Sequence, residues 1–180
     1  MNGFEIKILD FIQKVFKCGF MDEFMKIMSI LGDKGLIWIL IALVLIINKK
    51  TRKIGITTGL ALILGLIVGN ALLKNIVGRI RPYDFNPQID LIVSKLSDSS
   101  FPSGHSVSSF SAAVVLLIKD KRIGIPALVL ASIIAFSRLY LYVHFPTDVL
   151  SGAIIGIAVA FLSCYIVNKL YEKFFFKKIK

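Results

Sequence analysis

The sequence predicts an all-α fold, a polytopic membrane helix bundle of about five transmembrane helices preceded by an amphipathic N-terminal helix. Three observations predict it. The 180 residues are 56% hydrophobic with a mean hydropathy of +0.80, too apolar for a soluble domain of this length. Apolar runs close to the thickness of a bilayer core recur along the chain. The basic residues, 22 against 11 acidic, gather at the ends of those runs. The length suits one domain, residues 1–180, with an amphipathic, interfacial part at 1–31 and a transmembrane bundle at 35–168. A net charge of +11 could also suit nucleic acid, but clusters capping apolar segments are topology signals and not a groove-tracking stripe, so no nucleic-acid partner is expected.

In chain order, Phe4, Ile8, Phe11, Ile12 and Val15 fall at helical spacing, with Glu5, Lys7, Asp10 and Lys14 on other faces. Such a helix lies on a membrane and does not cross it. Residues 20–31, with Asp22, Glu23 and Lys26, read as a second interfacial or partly inserted helix. Five apolar segments follow, at about 35–48, 54–73, 105–118, 123–143 and 149–168. The second, fourth and fifth approach the ~20 residues that cross a ~30 Å hydrocarbon core, whereas the first and third must recruit flanking residues. Gly55/Gly59, Gly65/Gly69 and Gly152/Gly156 repeat at four-residue spacing. That spacing suits close helix contact in lipid, and equally the ordinary tolerance of membrane helices for glycine. Cys18 and Cys164 show neither metal-like spacing nor a disulfide framework and read as small apolar fillers. Glu5, Asp10 and several lysines interrupt the first twenty residues, so no cleavable signal peptide is expected.

The connectors set an orientation. Lys49, Lys50, Arg52 and Lys53 form one basic cluster, Lys119, Lys121 and Arg122 a second, and the tail from Lys169 to Lys180 a third. Five spans put all three on one face, which the positive-inside rule assigns to the cytoplasm. Connectors 74–104 and 138–148 then share the extracytoplasmic face, as two loops must if they are to build one site.

Those connectors hold nearly all of the reactive chemistry. One runs from Lys74 to Arg81-Pro82, the next from Ser100 to His105, and the last from Ser137-Arg138 to His144 and Asp148. Lys74 alone reads as a cation snorkelling to headgroups. Arg81 and Arg138 can each fork onto phosphate oxygens. Pro102-Ser103-Gly104-His105 opens a helix, either as an ordinary cap or as a first turn whose N–H groups hold an anion. His144 and Asp148 stand four apart, so the carboxylate can orient the ring as a nucleophile or base, although such pairs are more often satisfied surface pairs. Two histidines among cations make a poor divalent site, so neither metal nor cofactor is expected.

Together the patches resemble the type-2 phosphatidic acid phosphatase superfamily, membrane phosphatases related to vanadium haloperoxidases, whose signature is K-x6-R-P, P-S-G-H and S-R-x5-H-x3-D. Lys74…Arg81-Pro82, Pro102-Ser103-Gly104-His105 and Ser137-Arg138…His144…Asp148 match it in identity and internal spacing. The resemblance implies that His144 attacks phosphorus and forms a phosphohistidine, that Asp148 orients it, and that His105 protonates the leaving oxygen. Lys74, Arg81, Ser103, Gly104 and Arg138 would hold the phosphoryl oxygens. The implied activity is that of an integral membrane lipid phosphatase acting on a lipid phosphate or diphosphate within the bilayer. Many bacterial relatives have six spans, and five suit the small undecaprenyl-diphosphate phosphatases, although some of those carry Asp at the motif's Gly. Undecaprenyl diphosphate is therefore the first substrate expectation, with phosphatidylglycerophosphate or phosphatidate next. A transporter is disfavoured because the charges sit at segment ends. Haloperoxidase chemistry would need bound vanadate. Oligomeric state is not legible.

Overall fold

The computed structural model describes residues 2–175. Its helices are α1 (Asn2–Phe16), α2 (Gly19–Gly32), α3 (Leu36–Ile47), α4 (Arg52–Gly65), α5 (Lys74–Val77), α6 (Pro82–Phe85), α7 (Gly104–Lys119), α8 (Lys121–Tyr140) and α9 (Pro146–Phe175). A single 3-10 turn, Asp33–Gly35, joins α2 to α3, and a π-helical stretch, Leu66–Leu73, joins α4 to α5.

Four helical runs are long and apolar enough to cross a bilayer: Gly19–Ile47, Arg52–Phe85, Lys121–Tyr140 and Pro146–Lys173. Helix α2 meets α3 through the 3-10 turn, and the two with that turn count 29 residues. Lys34 (φ 52°) and Gly35 (φ 70°) adopt left-handed backbone at that corner, which breaks the hydrogen-bond ladder and turns the chain.

Helix α7 has only 16 residues, about 24 Å of rise, and is the fifth apolar helix. It needs no more because it is the central post of the bundle, packed against α4, α8 and α9. Its faces are small: Ser106, Ser109, Ser111, Ala112 and Ala113 are all fully buried. Glycines on the neighbours complete the fit. A Cβ built on Gly152 would lie 2.7 Å from the Ser103 carbonyl oxygen, and one on Gly156 the same distance from that of Val107. Gly65 and Gly69 likewise face the Val107 side chain, whereas Gly59 faces open space. Close approach therefore accounts for the 65/69 and 152/156 pairs, and simple tolerance for Gly59. The Trp38 indole, fully buried, donates to Ser109 Oγ at 2.9 Å and fastens α3 to this post.

Helix α1 lies across one end of the bundle. Leu9 and Ile12 enter a core with Met25, Tyr83, Tyr140, Tyr142, Val143 and Phe145. Phe4 and Phe11 face outward, 73% and 62% exposed, as an interfacial helix requires. The connectors carrying the motifs meet at this end. At the other end Lys119 donates to Asn168, and Lys53 lies over the Tyr171 ring.

Candidate active site

The site is assembled from chain breaks. Ser103 caps α7 in extended conformation, its Oγ accepting from the Ser106 N–H at 3.4 Å, while its own N–H donates to the Asp148 carbonyl at 3.1 Å. One bond thus pins the second motif to the third. Gly104 opens the helix so close to Asn70 that a Cβ would stand 2.9 Å from its Oδ1. The α8–α9 connector folds back on itself, with the N–H groups of Val143 and His144 both aimed at the Arg138 carbonyl. This tight turn buries His144 to 2% exposure.

Arg81 reaches into the same place. Its Nη1 donates to the Val143 carbonyl at 2.7 Å and stands 3.4 Å from His144 Nε2. A guanidinium N–H can only donate, so the Nε2 facing it carries a lone pair and the ring proton sits on Nδ1. Nδ1 lies 3.5 Å from Ser100 Oγ and 3.7 Å from Asp148 Oδ2. The latter is charge proximity, longer than a formed hydrogen bond. Asp148 is meanwhile fully occupied. Ser100 Oγ (2.5 Å) and the Phe145 N–H (3.0 Å) donate to Oδ2, and Arg79 Nη1 donates to Oδ1 at 2.6 Å. Burial drives the His144 pKa down to about 3, with the charges of Arg138 and Arg81 helping and Asp148 opposing. The ring is therefore neutral at any physiological pH.

The other cations surround it. Arg138 is 3% exposed, donates through Nη1 to Ser29 Oγ on α2, and keeps its buried Nε without a protein partner among the described residues. Lys74 and Arg81 share one carboxylate, Asp98, which pairs with Lys74 Nζ and accepts from Arg81 Nη2 at 2.6 Å. Burial would raise the Asp98 pKa, but the Lys74 hydrogen bond and the charges of Lys74 and Arg81 outweigh it and hold the group at about 2. His105 turns its Nε2 to Asp33 Oδ1 (2.9 Å) and to the Ser29 carbonyl (3.1 Å).

All eight residues singled out in the sequence, Lys74, Arg81, Ser103, Gly104, His105, Arg138, His144 and Asp148, thus meet at one end of the bundle. A supporting set escaped the sequence reading. Arg79 bridges Asp148 to Glu5 of α1 (Nη2 to Oε2, 2.6 Å) and stacks 4.0 Å over Phe145. Thr147 donates to the other Glu5 oxygen from both its N–H and its hydroxyl. Burial pushes the Glu5 pKa up, but the bonds from Thr147 and Arg79 prevail and hold it below the usual carboxylate range. Ser100, Asp98, Asp33 and Ser29 belong to the same set. Ser100 and Arg79 stand beside motif residues, the one signal that could have flagged them. Among the described residues no three His, Cys, Asp or Glu side chains converge as metal ligands do.

Three cations thus surround a buried histidine at one end of the bundle. The profile of the PAP2 superfamily matches residues 54–172. The chain belongs to the PAP2 superfamily. It is 35% identical over 131 residues to an undecaprenyl-diphosphatase of Sulfolobus acidocaldarius, covering 72% of this chain and 63% of that protein. With undecaprenyl-diphosphatase BcrC of Bacillus subtilis it is 29% identical over 124 residues, covering 69% of this chain and 63% of that one. The chain thus aligns with less than two thirds of the length of these two relatives. Among solved structures, the first transmembrane PAP2-type phosphatidylglycerolphosphate phosphatase, from Bacillus subtilis, superposes with a TM-score of 0.76 at 28% identity, covering 93% of this chain and 86% of that one. This PAP2 protein is accordingly a multi-pass, membrane-embedded helical bundle.

Proposed function

We propose that this PAP2 protein is a lipid phosphatase that removes a terminal phosphate through a phosphohistidine, with undecaprenyl diphosphate as its substrate and the monophosphate and inorganic phosphate as products. The observation that carries the proposal is the neutral His144, its Nε2 lone pair facing Arg81 within a cradle of three cations. In the proposed cycle Nε2 attacks phosphorus while Lys74, Arg81 and Arg138 hold the non-bridging oxygens. The unpartnered Nε of Arg138 is a donor available to one of them. The Ser103 hydroxyl and the Gly104 N–H, at the start of α7, complete the cradle. Asp148 stabilises the positive charge that the ring gains once phosphorylated. His105 protonates the departing oxygen and then takes a proton from the water that cleaves the phosphohistidine.

Fixed cations fill the electrostatic role here, so no metal is needed. Activity should persist in excess EDTA, and vanadate should inhibit because its five-coordinate form resembles the phosphoryl transition state. EDTA inactivation reversed by Mg²⁺ or Zn²⁺ would contradict this. Phosphatidylglycerophosphate is the second candidate, favoured by the 0.76 TM-score to the Bacillus subtilis enzyme of that name. Phosphate release from purified protein in detergent, over a panel of prenyl diphosphates and phospholipid monophosphates, decides between them. A kcat/KM for undecaprenyl diphosphate about tenfold or more above the others is expected. The reverse ranking moves the assignment to the phospholipid, and no release from any member overturns the phosphatase itself.

A further inference from the structure

We propose that Asp33, at the corner between α2 and α3, is the positioning residue of the general acid His105. The proposal rests on the phosphatase function above and adds to it a residue from a part of the chain that carries no motif.

The contact is specific. His105 Nε2 lies 2.9 Å from Asp33 Oδ1 and 3.1 Å from the Ser29 carbonyl oxygen. A carboxylate and a carbonyl only accept, so Nε2 must carry hydrogen. Nδ1 is then the nitrogen that takes up and releases a proton, and no hydrogen bond engages it among the described residues. The carboxylate fixes the tautomer and the ring plane, and favours the imidazolium, the form a general acid must hold before it donates.

The backbone is shaped for this contact. The left-handed turn at Lys34 and Gly35 ends the helical run directly after Asp33, so its carboxylate stands at a corner and not on a continuing helix face. Gly32 brings the end of α2 onto the ring itself, where an added Cβ would stand 2.7 Å from His105 Cδ2. Ser29, one turn earlier, receives Arg138 Nη1. The end of α2 therefore holds both the proton donor and one phosphate cation. The charged groups around His105 are Asp33 on one side and Arg138 of α8 on the other. Asp33 is the charged group that hydrogen-bonds the ring.

In the first step the His144 Nε2 lone pair bonds to phosphorus as the P–O bond to the leaving group breaks, its electron pair staying on that oxygen. The Nδ1 proton of His105 moves to this oxygen, and the Nε2–H stays on the ring, donating to Asp33. A strongly basic leaving oxygen, such as a lipid alkoxide, needs that proton. A weakly basic aryl oxide such as p-nitrophenolate leaves without it. Loss of Asp33 must therefore be felt in proportion to leaving-group basicity, which a purely structural role would not produce.

The test compares p-nitrophenyl phosphate with dodecyl phosphate on full-length protein in detergent, for wild type, Asp33→Asn, Asp33→Glu and His105→Ala. Asp33→Asn should lower kcat on dodecyl phosphate about tenfold or more and on the aryl ester less than about threefold, and Asp33→Glu should recover much of the difference. His105→Ala should show the same selectivity in stronger form. Equal loss on both esters, or no loss on either, for Asp33→Asn beside a selective His105→Ala overturns the role of Asp33 and leaves His105 as the acid. A His105→Ala variant without selectivity overturns both. If Asn does not fold, as read by size-exclusion elution and melting, Asp33→Ser carries the same comparison.

Discussion

His144 combines burial with two neighbouring guanidiniums, and the consequence is a ring that stays neutral where an exposed histidine would begin to protonate near 6.5. If it forms the covalent intermediate, His144→Ala removes the route altogether. Turnover should fall by about three orders of magnitude or more with expression and membrane insertion intact, and a variant keeping above about a tenth of the wild-type rate would sink the assignment. Asp148→Asn should be slowed but measurable. It mainly misorients the ring and loosens the turn that Ser100, Phe145 and Arg79 tie to that carboxylate. Asp98 makes a different prediction. It occupies two of the three cations proposed to hold phosphate, so under that proposal a phosphoryl group competes with it. The carboxylate is half exposed, so such pairing is worth only about 0.2–1 kcal/mol. Asp98→Asn should therefore tighten vanadate inhibition by no more than about fivefold, and weaker inhibition would mean that Asp98 aligns the cations instead. The motif residues were legible because histidine, arginine and proline stand out against apolar sequence. Asp33 and Asp98 were not, since a carboxylate at the end of an apolar run looks like any solvated connector until the fold sets it against a histidine or an arginine.

At the scale of helices, the two segments too short to span were the informative ones. Hydropathy marks 35–48 and 105–118 as apolar but cannot say where their missing length lies. For the first, α2 precedes it across the left-handed corner at Lys34 and Gly35, and α2 itself packs at the site end beside Tyr83 and Tyr140. Asp22 is engaged by the Tyr140 hydroxyl, and Met25 and Ser29 are buried. For α7 no length is missing, because a central helix of serines and alanines is solvated by its neighbours and not by lipid. Glycine spacing alone could not separate contact from tolerance, and the structure makes that difference measurable. At Gly156 an added side chain would press on the Val107 carbonyl oxygen at 2.7 Å and the Ser111 nitrogen at 2.9 Å, backbone atoms that cannot yield. Gly156→Leu should cost about 1–3 kcal/mol or more and lower the melting temperature in detergent by about 5 °C or more. Gly59→Leu, with nothing within 4 Å, should melt close to wild type. Equal shifts in the two variants would contradict a bundle packed backbone to backbone around α7.

Across the whole molecule, charge and chemistry separate to opposite ends. Lys53, Lys119 and the turn around Lys121 lie at the end away from the site, while the 78–103 and 141–145 connectors and α1 lie around it. Under the positive-inside rule the expected orientation has the site end outside the cytoplasm. Helix α1 is the weak point of that orientation, because Lys7, Lys14 and Lys17 stand on the site's side and count against it. Cysteine labelling settles the balance. In a background lacking Cys18 and Cys164, a cysteine replacing the exposed Ser94 should react with an impermeant thiol reagent added to intact cells. One replacing Lys121, exposed at the other end, should react only after the membrane is opened. The reversed pattern would put the site in the cytoplasm and remove an outer-leaflet lipid from the candidate substrates. Equal labelling of both positions in intact cells would contradict a single orientation.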